Sequence, residues 1–572
     1  VMQNGLKWIA VWMVWGSASL ALAQATPADD AQKPWLKAKP ERVAGWQSLR
    51  YGMFIHWGPV SLRGTEIGWS RGGERRGTGG EKGEVPVEEY DTLYTKFNPT
   101  EFNPDEWVRI AKEAGMRYMV LTTRHHDGFS LFETKYSDYG IMSPKSPYRK
   151  DIVRMYVDAC RRANMPVGFY YSQPDWHHPD YRTENHAKYL EYLHGQVREL
   201  MSNYGKIDML WFDGLGGTEK DWDAEKLFKM IRELQPDIII NDRCGLPADH
   251  DTPEQRIGGF NRTRPWETCM TICQQWSFKP NDQMKSLEEC LRTLLRTSGG
   301  DGNLLFNVGP MPDGRIEPRQ VERLLEEGKW LKQYGESVYG THGGPFKPGK
   351  WGASTYKENR IFVQVFEWPA EGPLVLPAIP KKIKSATLFG GAAVKMEQTA
   401  DAVRLEVPKA ERKPVTTTLV LELDGPAGEI EPLAVRTGGP SLAQGKPATA
   451  SNVFEGKKNE YGPQMAFDGD EETRWATDNG TSQAWIEVDL GKECPVGRAV
   501  VNEEYGNRVG QYEFQYKVGD SWKTIVSGTK LGKKAELKFD PVQGRWFRLQ
   551  IQKASEGPTI SEIALLPPAV RE

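Results

Sequence analysis

Residues 207–217 read I-D-M-L-W-F-D-G-L-G-G, and this stretch decides the fold. An apolar run from Met209 to Phe212 ends on the carboxylate of Asp213, and three glycines follow within four positions. The pattern predicts a buried strand with an acid at its carboxyl end, where parallel β/α proteins place substrate-binding side chains. An aspartate here is equally typical of a cap on the next helix, so the stretch alone leaves both roles open for Asp213.

Similar apolar runs occur on both sides of this strand. The predicted strands are 52–56, 118–122, 167–171, 207–212, 238–241, 266–269 and 303–307. Amphipathic segments between them predict helices at 104–114, 151–163, 186–203, 224–234 and 285–297. Alternation of strands and helices predicts a parallel sheet, and so many repeats in so short a chain favour an irregular (β/α) TIM-like barrel. The eighth strand of such a barrel is either cryptic or absent.

Polar and aromatic residues fall at the carboxyl ends of these predicted strands. They are His56 with Trp57, the run R-H-H-D at 124–127, Tyr170 with Tyr171, Asp213, the run N-D-R at 241–243, and Trp266 with Glu267. A single histidine at a strand end is commonly a structural group. Packing alone does not explain so many polar strand ends, so we expect a functional site at one mouth of the barrel.

The composition limits the partners and the compartment. The 572 residues carry a net charge of −3, which gives no reason to expect nucleic acid as a partner. Lys7 precedes a mostly apolar run, and the small residues Ala21 and Ala23 suit cleavage, so residues 1–25 are predicted to be a signal peptide. We expect a secreted or periplasmic protein that has no membrane partner after cleavage; an uncleaved anchor is the alternative.

The sequence pattern also predicts the domain boundaries. We expect the barrel at residues 35–343, a small antiparallel β-sandwich at 344–425, a linker rich in glycine and proline at 426–440 and a second all-β domain at 441–568. Within the barrel, residues 71–82 read R-G-G-E-R-R-G-T-G-G-E-K, and their nearly balanced charge favours a flexible loop at the mouth over an RNA-binding glycine-arginine box. Such a loop can still contact an anionic substrate.

Two acids at the predicted mouth, Asp213 and Glu267, suit cleavage of a glycosidic bond. One carboxylate acts at the anomeric carbon and one carboxylic acid protonates the leaving oxygen; a separation of about 5–5.5 Å gives retention, and about 6.5–9.5 Å gives inversion. We expect Trp266 to raise the pKa of Glu267 by desolvation, whereas glycine amides keep Asp213 ionised as the nucleophile.

Metal binding is the alternative for the histidines. His125, His126 and Asp127 look like a ligand cluster, but neighbours on a regular strand point to opposite faces, which disfavours a shared ion. We expect the histidines to orient sugar hydroxyls instead. Cys269 and Cys273 have no further ligand at zinc spacing nearby, which favours packing or one incidental disulfide.

Short motifs along the barrel carry a family resemblance. They are G-M-F-I-H-W-G-P-V-S at 52–61, T-R-H-H-D-G-F at 123–129, K-Y-S-D-Y at 135–139, Y-Y-S-Q-P-D-W at 170–176, L-W-F-D-G at 210–214, N-D-R at 241–243, P-W-E-T-C-M-T-I at 265–272 and G-N-L-L-F-N-V-G-P-M-P-D-G at 302–314. Together they closely resemble the α-L-fucosidases of glycoside hydrolase family 29. The resemblance implies a retaining exo-glycosidase that needs no cofactor for catalysis and acts on fucosylated oligosaccharides, glycoprotein glycans or polysaccharides.

The resemblance also implies residue roles. Asp213 takes the role of nucleophile and Glu267 that of general acid/base. The residues similar to those that hold the fucose are His56, Trp57, Glu66, His125, His126, Tyr171, Trp211 and Arg243. At Glu66 the sequence departs from the family pattern, since Ile67 follows where the family usually has tryptophan. An α-L-galactosidase of the same mechanism and a glycan-binding protein without activity are the alternatives.

A second resemblance covers residues 441–567. Its motifs are A-F-D-G-D-E-E-T-R-W-A-T at 466–477, W-I-E-V-D-L-G at 485–491 and R-W-F-R-L-Q-I at 545–551. They resemble a coagulation factor 5/8 type C, or discoidin-like, domain of the carbohydrate-binding module family 32 type. Asp468, Asp470 and Thr473 lie on one loop that by itself is typical of an Asx turn. With Glu562 added, the resemblance implies a structural calcium site there.

Overall fold

The computed structural model describes residues 33–78, 83–369, 371–435, 441–470 and 473–568. The predicted signal peptide lies outside the described residues, as do positions 79–82 of the loop at the barrel mouth. Within the described ranges, no helix has the length and apolar character needed to cross a membrane.

The first domain is a parallel β/α barrel. Its strands are β1 (Tyr51–Ile55), β2 (Tyr118–Arg124), β3 (Val167–Ser172), β4 (Met209–Asp213), β5 (Ile239–Ile240), β6 (Glu267–Thr271) and β7 (Asn303–Val308). Its helices are α1 (Pro40–Gln47), α2 (Val87–Tyr90), α3 (Pro104–Glu113), α4 (Ile152–Arg162), α5 (His186–Asn203), α6 (Ala224–Leu234), α7 (Leu287–Gly299) and α8 (Pro318–Tyr334). The sheet has the order β5-β4-β3-β2-β1-β7-β6. The predicted fold class is confirmed.

An extended segment, residues 249–255, fills the gap between β5 and β6. On the β5 side the N–H of Asp242 donates to the carbonyl of His250 at 3.0 Å. On the β6 side the N–H of Cys269 donates to the carbonyl of Pro253 at 3.1 Å. Isolated parallel bridges pair the segment with both neighbours. This segment is the cryptic eighth strand, and it closes the barrel.

Alternation along the strands decides which side chains face the barrel interior. The register pairs Tyr170 with Trp211 and Ser172 with Asp213, so these four side chains lie on one face of β3 and β4. The buried interior cluster consists of Ala38, Trp46, Phe54, Tyr118, Val120, Tyr170, Met209, Trp211, Ile239, Cys269 and Leu305. Tyrosine and tryptophan rings therefore form much of the floor beneath the mouth.

The second domain is the expected antiparallel sandwich. Its strands are β8 (His342–Gly343), β9 (Gly352–Lys357), β10 (Arg360–Val365), β11 (Leu374–Pro377), β12 (Ile383–Leu388), β13 (Lys395–Gln398), β14 (Ala402–Glu406) and β15 (Thr417–Leu423). They form one sheet in the order β12-β15-β10-β9-β8 and another in the order β11-β14-β13. The predicted linker begins as packed structure, since Ile430 is buried in the sandwich core and the N–H of Leu433 donates to the carbonyl of Pro345 at 2.8 Å.

The C-terminal domain is also all β. Its elements are β16 (Ala448–Ala450), α9 (Lys458–Tyr461), β17 (Trp475–Ala476), β18 (Ala484–Glu503), β19 (Val509–Val518), β20 (Ser521–Gly528), β21 (Ala535–Ala554) and β22 (Thr559–Leu566). The sheet has the order β17-β22-β18-β21-β19-β20, with β16 added beside β18.

Cys269 and Cys273 in the barrel, like the other cysteines, are free and buried, which agrees with packing rather than a disulfide.

Candidate active site

A cavity opens where the carboxyl ends of the barrel strands meet. Its lining consists of Phe54, His56, Trp69, His125, His126, Tyr170, Trp211, Asp213, Leu215, Glu254, Cys269 and Trp276. Five of the predicted site residues are in this set: His56, His125, His126, Trp211 and Asp213. The mouth predicted from polar strand ends is therefore a pocket, and it is rich in aromatic rings.

Asp213 is the last residue of β4 and lies buried in this pocket. The hydroxyl of Tyr170 donates to its Oδ2 at 2.8 Å, and Nη1 of Arg243 donates to its Oδ1 at 2.9 Å. Burial alone would raise the pKa of Asp213, but the charge of Arg243, the nearby His126 and the hydrogen bonds outweigh it, so the pKa lies below its usual value. Helix α6 is preceded by Asp223, so Asp213 is not a helix cap.

Arg243 connects Asp213 to a second acid, Glu254. Nη2 of Arg243 lies 2.7 Å from Oε2 of Glu254, and the guanidinium carbon lies 4.6 Å from the ring centre of Trp211. The Glu254 side chain is 40% exposed, whereas that of Asp213 is 11% exposed. The pocket thus holds one buried, ionised acid and one acid at its open side, with a single cation between them.

The pocket histidines are held neutral. Burial lowers the pKa of His56 to about 3 and that of His126 to about 4, and it lowers the pKa of His125 well below its usual value. Nδ1 of His56 lies 2.6 Å from Oδ1 of Asn307, and Nδ1 of His126 lies 2.6 Å from Oγ of Ser172. A neutral imidazole offers one donor and one acceptor, which suits hydroxyl groups of a sugar.

Both His125 and His126 face the pocket, contrary to the alternation expected of a regular strand. Strand β2 ends at Arg124, so the two rings lie beyond it with centroids 4.1 Å apart. Gly68, at φ +66°, approaches so closely that a Cβ would lie 2.7 Å from Nδ1 of His125. Among the described residues, no cluster of three histidine, cysteine or acidic side chains is arranged to hold a metal ion.

The predicted position of Glu267 is wrong. Glu267 is the first residue of β6, not the last, and it pairs with Asn303 at the start of β7. There its carboxylate accepts hydrogen bonds from the hydroxyl of Tyr118 and, at 3.2 Å, from the indole N–H of Trp211. Burial raises its pKa to about 7 against these two hydrogen bonds. Glu267 therefore lies beneath the ring of Trp211 and does not line the pocket.

Two predicted sugar contacts also point away from the pocket. The ring of Trp57 packs 5.3 Å from that of Trp107 in the layer between sheet and helices. The hydroxyl of Tyr171 donates to Oε1 of Gln196 at 2.9 Å, likewise outside the barrel interior. In each case the preceding residue lines the pocket instead: His56 before Trp57, and Tyr170 before Tyr171.

Glu66 supports the pocket wall from behind. Its carboxylate accepts hydrogen bonds from the backbone N–H groups of Ile67, Trp276 and Ser277, at 2.9–3.2 Å. The ring of Trp276 lies 4.8 Å from that of His56. Burial raises the pKa of Glu66 to about 7 against these hydrogen bonds. Glu66 therefore positions Trp276 rather than lining the cavity itself.

Glu254 is the main residue that the sequence interpretation missed. It follows Pro253 in a stretch that resembles a loop, because proline is uncommon inside central strands. The useful signal was the missing eighth strand together with the long interval, 242–265, between the predicted fifth and sixth strands. Trp69 and Trp276 were also missed, and both lie in loops outside the strands. Tyr170 was expected at the mouth, but the sugar contact was assigned to its neighbour Tyr171, since aromatic residues on the two faces of a strand look alike in sequence.

The expected calcium ligands lie around one loop, where the described contacts are hydrogen bonds among themselves. Oδ1 of Asp468 accepts a hydrogen bond from the N–H of Asp470 at 2.8 Å, and its Oδ2 accepts one from Oγ1 of Thr473 at 2.7 Å. Oε2 of Glu562 accepts a hydrogen bond from the N–H of Gly469 at 3.1 Å. These contacts are those of an Asx-type loop, and the described side chains do not form a metal-binding group. Calcium binding stays a prediction without support from this geometry.

Two protein-family models and several known proteins are similar to this chain. The α-L-fucosidase family model matches residues 18–336, and the F5/8 type C domain model matches residues 447–565. Human plasma α-L-fucosidase is 29% identical over 398 residues, which cover 62% of this chain and 82% of the human protein.

Solved structures of α-L-fucosidases are also similar to this chain. α-L-Fucosidase isoenzyme 1 from Paenibacillus thiaminolyticus is 34% identical, with a TM-score of 0.61 over 67% of this chain and 99% of that one. The GH29 α-L-fucosidase of Bacteroides thetaiotaomicron, trapped as a covalent intermediate with 2-fluoro-fucosyl fluoride, is 27% identical, with a TM-score of 0.61 over 68% of this chain and 97% of that one. Because the family model spans more than half of the sequence, this chain belongs to the α-L-fucosidase family and is a glycoside hydrolase of family GH29 with a C-terminal F5/8 type C domain.

Proposed function

We propose that this protein is an exo-acting, retaining α-L-fucosidase that removes terminal α-L-fucose from glycans. One observation carries the proposal: the ionised Asp213 in the pocket shares the guanidinium of Arg243 with a second acid, Glu254. Two such acids are what glycoside hydrolysis requires, and no cofactor is needed. The covalent intermediate trapped in the Bacteroides thetaiotaomicron relative supports the retaining course.

The chemistry of the pocket suits a deoxy sugar. Its lining combines aromatic rings with a few polar and acidic groups, as small-molecule sites do. Phe54, Trp211 and Trp276 give it aromatic walls, and these complement the methyl group that distinguishes fucose from galactose. An apolar wall rejects the extra hydroxyl of an α-L-galactoside only weakly, so we expect slow turnover of that substrate.

In the first step, a carboxylate oxygen of Asp213 forms a bond to the anomeric carbon. The bond from that carbon to the glycosidic oxygen breaks, and its electron pair stays on the oxygen, which takes a proton from Glu254. In the second step Glu254 accepts a proton from water, the water oxygen attacks the anomeric carbon, and the ester bond to Asp213 breaks. Arg243 keeps Asp213 ionised before the first step. After the second step Asp213 is again a carboxylate and pairs with Arg243 as before.

Hydrolysis of 4-nitrophenyl α-L-fucoside with the product followed by NMR tests this function. A retaining enzyme releases the α-anomer first, and the β-anomer appears only through mutarotation. Initial release of the β-anomer would contradict the double displacement. A folded protein that is inert on every fucoside would refute the function and favour a glycan-binding role.

We also propose that the protein is exported. The support is the predicted signal peptide at residues 1–25 and the existence of a plasma enzyme among its relatives. Expression of the full chain in a bacterial host, followed by fractionation and N-terminal sequencing, should give a periplasmic or secreted protein that begins near Gln24 or Thr26. A protein that stays in the cytoplasm at full length would contradict export.

A further inference from the structure

An arginine lies next to the wall of the pocket, in the loop after β1. Trp69 lines the pocket, and its ring packs 5.7 Å from that of His126 and 5.1 Å from that of Trp176. The guanidinium carbon of Arg75 lies 5.4 Å from the ring centre of Trp69 and 5.7 Å from that of Trp176. Arg75 does not itself line the cavity. Its guanidinium is therefore one ring away from the sugar pocket, in a loop that follows the carboxyl end of β1.

Contacts on both sides hold this loop in place. Arg71 pairs with Asp91 through two hydrogen bonds of 2.7 and 2.6 Å. Arg76 donates to the backbone carbonyl of His178 at 2.7 Å. Arg75, between these two anchors, donates to the carbonyl of Trp69. The position of its guanidinium is therefore defined before any ligand binds.

The charge of Arg75 has no counter-charge in the described part of the chain. Each anchoring arginine has a carboxylate within 4 Å: Asp91 lies 2.6 Å from Arg71, and Glu74 lies 3.8 Å from Arg76. For Arg75 no described carboxylate lies within that distance, and its buried Nε has no hydrogen-bond partner. Burial accordingly lowers the pKa of Arg75 with no acid to oppose it. A partly desolvated cation of this kind is costly unless a ligand supplies the missing anion.

We propose that Arg75 binds an anionic substituent, a sulfate half-ester or a carboxylate, on the sugar to which the fucose is attached. The proposal rests on the proposed function, because the pocket must hold the fucose for the next sugar to reach Arg75. A guanidinium matches both groups through two parallel N–H donors, and its face already rests against Trp69 and Trp176. Arg75 would thus select glycans that carry a negative charge next to the cleavage point.

Three fucosyl disaccharides of one linkage test the proposal: fucosyl-galactose, its 6-O-sulfate and the corresponding galacturonic acid. We expect kcat/KM to be at least about tenfold higher for the sulfate or the carboxylate than for the neutral disaccharide, since hydrogen bonds between charged groups are strong. In Arg75→Gln that ratio should fall about tenfold, and Arg75→Lys, which keeps the charge but loses the paired donors, should give an intermediate ratio. Arg63→Gln is the matched control, because Arg63 lies earlier in the same loop and pairs with Glu89 at 3.1 Å.

The two anionic substrates separate a sulfate-specific site from a carboxylate-specific one. The preference of the unmodified enzyme should also shrink at about 1 M salt, where charges are screened beyond about 3 Å, and this test needs no variant. A ratio near one in the unmodified enzyme, or a ratio unchanged by Arg75→Gln, would overturn the proposal. Inactivity on all three disaccharides and on the aryl fucoside would instead refute the fucosidase function itself.

Discussion

Two candidates exist for the general acid: Glu254, which the pocket geometry favours, and Glu267, which the sequence motif favours. Replacing each of them by glutamine distinguishes the two. Glu254→Gln keeps a carbonyl oxygen that can accept the hydrogen bond from Arg243 but removes the proton that the leaving oxygen needs. General acid catalysis contributes about 10²- to 10⁴-fold, so we expect kcat/KM on fucosyl-galactose to fall by that factor. 4-Nitrophenolate leaves without a proton, so kcat/KM on the aryl fucoside should fall less than about tenfold.

Glu267→Gln is the matched control, because it makes the same atomic change outside the pocket. Glu267 accepts hydrogen bonds from Tyr118 and Trp211, and glutamine has one acceptor oxygen for these two donors. We expect a loss of stability of about 1–3 kcal/mol at low pH and a change in kcat/KM of less than about threefold on either substrate.

The pH dependence of Tm provides a separate test of the Glu267→Gln control. The pKa of Glu267 is raised from its usual value to about 7 in the folded protein. The protonated form therefore contributes stability below the pKa of the unfolded chain, and this contribution is lost as the pH rises through about 7. Thermal unfolding of Glu267→Gln should show a smaller decline of Tm between about pH 4.5 and pH 7 than the unmodified protein.

Steady-state kinetics with both substrates and added azide completes the assay. Azide should rescue Glu254→Gln on the aryl fucoside and give α-L-fucosyl azide, because it attacks the fucosyl ester from the face that water normally uses. If Glu267→Gln loses activity about 100-fold while Glu254→Gln keeps it, the assignment to Glu254 is refuted.

Three further variants probe the surroundings of the proposed nucleophile, Asp213. Arg243→Gln removes the charge that lowers the pKa of Asp213, so the acidic limb of the kcat/KM profile should move to higher pH; an unmoved limb would contradict the pairing. Tyr170→Phe removes one hydrogen bond to Asp213 and should lower kcat about tenfold with little change in Tm; full activity would show that the hydrogen bond is dispensable. Trp57→Phe should lower the free energy of unfolding by about 1–3 kcal/mol but leave KM within about twofold, and a large rise in KM would place Trp57 back at the substrate.

The barrel was predictable because each unit carries its own signal. Apolar runs such as 207–212 end on polar residues, and helix starts have recognisable caps, for example Asn103 before α3 and the capping box of Ser286 and Glu289 at α7. The position of Asp213 was predictable for the same reason, since a strand that ends on Asp213 fixes where that acid lies.

The second acid was not predictable from local patterns. A strand boundary shifted by a few residues moves Glu267 from the mouth to the opposite end of the barrel. No pattern that we recognised in the sequence marks where this strand begins. Glu254 lies in a strand that pairs only through isolated bridges, so its position depends on two neighbours that are distant in sequence. Tyr170 and Tyr171 differ only in which face of β3 they occupy, and that choice is made by packing against the helices.

Covalent trapping tests the role of Asp213 most directly. The protein is incubated with 2-fluoro-fucosyl fluoride, digested, and the labelled peptide is sequenced by mass spectrometry. The geometry of the pocket predicts one fluorofucosyl group per chain, attached through an ester to Asp213. A label on Glu254 or on any other residue, or full turnover of α-L-fucosides by Asp213→Asn, would contradict the assignment of Asp213 as the nucleophile.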